Sequence, residues 1–148
     1  MSKNFIIAGG TSGIGLEIVK KLSAEGHRVT CACRTPDSLP RIEGVESVEF
    51  DATKEANFDC PNQVDGVVYC PGTINLKPFH RFSDDEFRND FDVNALGAVR
   101  LLRHILPALK KANSASVVLF STVAVQTGLP FLVLVEKDWL QGLEGMYH

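Results

Sequence analysis

Short apolar runs alternate with amphipathic stretches from the start of the chain. Phe5-Ile6-Ile7-Ala8 has the length and apolar density of a strand buried on both faces. After a glycine-rich turn, Ile14, Ile18, Val19 and Leu22 recur at helical spacing up to Glu25, and Gly26 stands where a helix C-terminus favours glycine. Residues 29–33, 45–50, 64–70 and 117–120 read as four further strands. Ser83-Asp84-Asp85-Glu86 reads as a capping box. It opens a helix that bends near Asn94 and continues through Leu101, Leu102, Ile105 and Leu109. The stretch 53–63 has room only for a short helix or a loop, so one crossover is reduced. Strand, helix, strand in this order predicts an α/β fold: a doubly wound parallel sheet of about five strands, with right-handed crossovers and helices on both faces.

Composition narrows the picture. The chain has 148 residues, 45% of them hydrophobic and 22% charged, which suits one globular domain with a real core. The formal net charge is −3 and no long Lys/Arg run occurs, so neither nucleic acid nor an anionic membrane is expected as a partner. The apolar segment at the start is too short for a signal peptide, and no stretch approaches a transmembrane span. A cytoplasmic location is the expectation. Cys31, Cys33, Cys60 and Cys70 form no Cys-x-x-Cys pair and no zinc-finger spacing. They are expected to be reduced thiols in or near the core, Cys31 and Cys33 on one strand face, with no metal site.

The strongest chemical signal is Gly9-Gly10-Thr11-Ser12-Gly13-Ile14-Gly15, directly after the first strand. Gly9 permits a tight turn at positive φ. Gly13 removes a Cβ from the path of a pyrophosphate, and Gly15 lets the helix pack close to the sheet. The helix N-terminus then offers free N–H groups and the positive end of a dipole to phosphates. Strand, glycine turn and helix together point to a dinucleotide-binding Rossmann-type domain. A ligand-free glycine turn and a methyltransferase, which also uses such a turn, are the competing readings.

With this spacing the chain resembles the short-chain dehydrogenase/reductase family, over residues 3 to about 131. Asp51 follows the third strand, where the family often contacts adenine. Cys70-Pro71-Gly72 follows the fourth, where the family usually reads Asn-Asn-Ala-Gly, and only Gly72 agrees. Asn94 matches the family's helix asparagine, and Ser121-Thr122-Val123-Ala124 matches its Ser-Ser-Val-Ala segment. The resemblance implies a nicotinamide dinucleotide held by Gly9, Thr11, Ser12, Gly13, Ile14, Gly15, Arg34, Asp51, Cys70 and Gly72. It implies hydride transfer to or from a small carbonyl or alcohol. Asn94 would carry a relay water, or else simply be a polar residue that bends a long helix. Thr122 would polarise the carbonyl, with Ser121 as the substitute if the register shifts by one, or both are ordinary polar residues at a strand end. His80 and His104 fall outside any matching motif and are expected at the surface.

The second strand ends Cys31-Ala32-Cys33-Arg34-Thr35. Relatives preferring NAD place an acid at that strand end, to accept from the ribose hydroxyls. Cys33 stands there and Arg34 follows, so NADP is expected over NAD.

The family's catalytic Tyr and Lys are expected at the positions of Val135 and Trp139, and neither residue can replace them. The chain thus reads as a Rossmann domain over 1–131 with a tail over 132–148 unlike the family's own. A frameshift near codon 132, a truncation and a native tail are all compatible with it. Loss of turnover is the expectation, the alternative being a silent nucleotide-binding or interaction module. Homo-oligomerisation is expected too, because a sheet that is incomplete relative to the family leaves an edge and apolar helix faces without cover.

Overall fold

A computed structural model describes residues 1–122. Five strands form one parallel sheet: β1 (Asn4–Ala8), β2 (Arg28–Cys33), β3 (Val45–Glu49), β4 (Gly66–Tyr69) and β5 (Ser116–Leu119), in spatial order β3-β2-β1-β4-β5. The order reverses beside β1, which pairs with β2 on one side and β4 on the other. The expected doubly wound α/β fold is therefore present.

Each face of the sheet has its own core. On one face Ile7, Val29, Cys31 and Cys33 pack under helix α1 (Gly13–Ala24), through Val19, Ile18 and Leu22. Ile14 does not join them; it lies in the first turn and is 64% exposed. On the other face Ile6, Ala8, Ala32 and Val67 pack against Leu101, Leu102 and Ile105. Helix α1 ends as its Gly26 suggested: Gly26 has φ 79°, its N–H bonds the Ser23 carbonyl and the His27 N–H bonds that of Leu22.

The long helix has three parts: α2 (Asp84–Phe91), a π-turn (Asp92–Leu96) and α3 (Gly97–Leu109). The capping box is complete. The Ser83 hydroxyl accepts from the Glu86 N–H, and the Glu86 carboxylate accepts from the Ser83 N–H at 2.9 Å. The bend expected near Asn94 is the π-turn, with Asn94 at its centre.

The β3–β4 connection is loop throughout. His104, expected as a plain surface residue, is instead half-buried and anchors that loop. Its Nε2 lies 2.7 Å from the Phe58 carbonyl, and its ring meets Phe58 edge-on at 4.6 Å. Strand β4 is shorter than its apolar run. Val64 leaves the ladder to donate to the Ala108 carbonyl at the end of α3.

Candidate functional site

All five strands run the same way, so the loops after β1, β2, β3 and β4 meet at one edge of the sheet, where the strand order reverses. In open α/β sheets that crevice is where ligands bind. Here it holds a cavity of about 500 Å³. Gly9, Thr11 and Ser12 line it from the first loop, Cys33, Arg34 and Ser38 from the second, Asp51 and Thr53 from the third, and Cys70, Gly72 and Thr73 from the fourth.

The glycine turn divides its work differently from the sequence reading. Gly9 has φ 75°, as a tight turn requires. A Cβ on Gly15 would run into the Gly9 carbonyl, so this glycine lets α1 close on the turn itself. Contact between helix and sheet depends on Gly10, where a Cβ would come within 2.7 Å of Cys31 Sγ and 2.8 Å of Val19. At Gly13 a Cβ would meet open space, which leaves that approach clear. Ser12 precedes α1 in extended conformation and makes no side-chain cap, and no acid lies in the first turn. The positive end of α1 is therefore uncompensated by its own cap and first turn, in contrast to α2, which has its cap and Asp84, Asp85 and Glu86.

Arg34 follows β2 at the cavity and is exposed. It forms no ion pair or hydrogen bond with any described residue. Cys33, buried beside it, has its thiol pushed up by desolvation, so it stands as a neutral group. Burial likewise raises Cys70 to about 11. Asp51 goes the other way. The Thr53 N–H at 3.0 Å and the Thr53 hydroxyl at 2.8 Å donate to its carboxylate and lower its pKa.

The fourth loop is held by the π-turn. Asn94 accepts from the Thr73 N–H at 2.7 Å and donates to the Thr73 carbonyl at 3.1 Å. Asp90 takes the Thr73 hydroxyl at 2.8 Å and the Asn75 amide at 2.9 Å. Arg100 bonds the Ala52 carbonyl at 2.8 Å and Asp92 at 2.7 Å, tying the third loop to the same helix. Tyr69, at the end of β4, donates to the Val93 carbonyl.

The structure thus brings Gly9, Thr11, Ser12, Arg34, Asp51, Cys70 and Gly72 around one cavity. Gly13 and Ile14 lie in the exposed first turn of α1, and Gly15 is buried behind the glycine turn. Ser121, exposed, and Thr122, half-buried, follow β5, the strand paired with β4. Val123, Ala124, Val135, Trp139 and the tail lie outside the described residues. Sequence reasoning missed Tyr69, Thr73, Asp90 and Arg100. The signal for Tyr69 was present in its slot: with Gly72 matched, it stands where the resemblance places an asparagine.

The pattern defining the short chain dehydrogenases matches residues 3–134. The chain belongs to the short chain dehydrogenase family. Its curated relatives include 3-dehydrosphinganine reductase TSC10A of Arabidopsis thaliana, 29% identical over 84% of this chain and 42% of its own length. The uncharacterized oxidoreductase YbbO of Escherichia coli (strain K12) is 28% identical over 83% of this chain and 50% of its own. The chain spans about half the length of such relatives. Among solved structures, a 3-ketoacyl-(acyl-carrier-protein) reductase from Brucella melitensis complexed with NADH superposes with a TM-score of 0.77, at 20% identity, over 97% of this chain and 65% of its own. A short-chain dehydrogenase from Streptomyces avermitilis gives 0.76 at 23% identity, over 88% and 53%. The fold of this short chain dehydrogenase is thus the family's own. The family match sets the methyltransferase reading aside.

Proposed function

We propose that this chain binds NADP(H) in the cavity at the C-terminal edge of its sheet, as the nucleotide-binding portion of a carbonyl or alcohol oxidoreductase, and that the 148-residue chain does not itself transfer hydride. The observation that carries the cofactor preference is Arg34, a guanidinium at the cavity with no partner among the described residues, next to a neutral Cys33 where an acid would accept from ribose. A guanidinium matches a 2′-phosphate in both charge and fork geometry. The uncapped start of α1 and the open space at Gly13 fit a pyrophosphate beside Thr11 and Ser12. Asp51, kept ionised by Thr53, suits the adenine amino group or a ribose hydroxyl.

Hydride chemistry is supplied by the nicotinamide; the protein must hold the carbonyl and deliver a proton. Thr122 or Ser121 would polarise that carbonyl. By the resemblance, the residues that deliver the proton fall at 135 and 139. A tyrosine with an ordinary pKa near 10 works near neutral pH only with a neighbouring cation, and Val135 and Trp139 hold the two positions. The expected outcome is NADPH binding without loss of nicotinamide absorbance when aldehydes and ketones are added. Robust turnover that disappears in Thr122→Ala or Asn94→Ala would overturn the assignment. Self-association is proposed as well, since β5 pairs only with β4 among the described residues and exposes Val118.

A further inference from the structure

Tyr69 is buried at the last paired position of β4, and nothing in the cofactor assignment uses it. Its hydroxyl donates to the carbonyl of Val93, inside the π-turn. A π-turn breaks the regular helical ladder, so its carbonyls take partners from outside the helix. Room for the phenol exists because residue 97 is glycine. A Cβ there would strike the Tyr69 hydroxyl and come within 2.8 Å of the Ala52 Cβ.

The residue after Val93 is Asn94, whose amide grips the Thr73 backbone at both its N–H and its carbonyl. Val93, Thr73 and Ala52 all line the cavity. One helical segment therefore holds this stretch of wall, through Asn94 and Asp90 to Thr73 and through Arg100 to Ala52. Tyr69 ties that segment to the central sheet.

We propose that Tyr69 is a positioning residue for the dinucleotide: it pins the π-turn so that Asn94 sets Thr73 at the cavity wall. The role acts through Val93 and Asn94, not through contact with the cofactor, and it rests on the NADP(H) assignment above. Burial pushes the phenol above its ordinary pKa, so the hydroxyl is protonated and a donor near neutral pH.

The test compares wild type, Tyr69→Phe, Asn94→Ala and the double variant, by NADPH titration and by hydrogen exchange at the Thr73 amide in the free protein. Tyr69→Phe keeps the ring and the core. It should weaken NADPH binding about fivefold, and the double variant should bind no more weakly than Asn94→Ala alone, as residues acting in one chain do. Exchange at Thr73 should speed about tenfold while the β4 amides of Val67 and Val68 stay protected. Gly97→Ala crowds the phenol away from Val93 but also meets Ala52, so it serves, if Tyr69→Phe does not fold, through exchange at Thr73 alone, which should speed in the same way. Tyr69→Phe with wild-type affinity and a protected Thr73, or losses that multiply in the double variant, would overturn the role. Wild-type protein that binds neither NADPH nor NADH, with Thr73 exchange still dependent on Tyr69, would instead overturn the cofactor assignment and leave the bracket standing.

Discussion

At the scale of single side chains, the proposed preference for NADP rests on Arg34 and Cys33. A charge-assisted contact between a guanidinium and a phosphate contributes about 1.5–3 kcal/mol when it is well formed. Arg34→Ala should therefore weaken NADPH binding at least about tenfold, near 1.4 kcal/mol, and leave NADH nearly unchanged. Isothermal titration with both cofactors checks this, and an equal loss for both would assign Arg34 to something other than the 2′-phosphate. Gly15 makes the other sharp prediction at this scale. Its missing Cβ is filled by backbone of the glycine turn, which cannot swing aside as a side chain would. Gly15→Ala should cost about 3 kcal/mol, the upper end for overpacking, and lower Tm in a thermal melt. Gly13→Ala meets no neighbour, but φ at Gly13 is 53°, so its smaller cost is backbone strain.

At the scale of elements, the capping box of α2 links sequence, pH and stability. Lys77, then the Ser83 N–H and hydroxyl, hold the Glu86 carboxylate down from 4.5 to about 2. A depressed carboxylate contributes stability that is fully present above its unfolded pKa and is lost as pH falls through the folded one. Thermal stability should therefore decline between pH 4.5 and about 2, and Glu86→Gln should flatten that decline while lowering stability at neutral pH. Ser83→Ala should cost about 1 kcal/mol at any pH in the neutral range. A melt series across pH reads both, and a Glu86→Gln curve parallel to wild type would reject the assignment. The box itself was legible in the sequence because the reciprocal contacts of Ser83 and Glu86 span only three residues. The glycine turn and the cap at Gly26 are local in the same way and were legible too. Asn94 was half legible. The resemblance marked it and the bend was foreseen, but its grip on Thr73 spans 21 residues and leaves no periodic trace. The contact of Tyr69 with Val93, 24 residues away, is of the same kind. His104 failed for this reason too, its partner Phe58 lying 46 residues back in a loop without pattern. Gly10 was passed over because the family spacing drew attention to its neighbours, whereas its tight fit depends on Cys31 across the sheet.

For the whole molecule, the sheet holds both the association and the binding claims. β5 is an edge strand among the described residues, with Val118 43% and Phe120 48% exposed, and Ile74, Leu76 and Phe79 stand out of the loop before α2. Unpaired strand edges and apolar patches favour pairing. Light scattering across a concentration series should show a mass above that of the monomer, and a clean monomer at high concentration would remove this expectation. The proposed dinucleotide site draws on all four loops: the glycine turn and α1 would hold phosphate, Arg34 would select the 2′-phosphate, and Asp51 and Thr73 would close the wall. It is tested most directly by titrating the full chain with NADPH and, separately, NADH, following cofactor fluorescence. The account predicts saturable binding of both, with NADPH half-saturating at a concentration at least about tenfold lower, as a guanidinium–phosphate contact requires. NADH binding as tightly as NADPH, or no saturable binding of either, would contradict it.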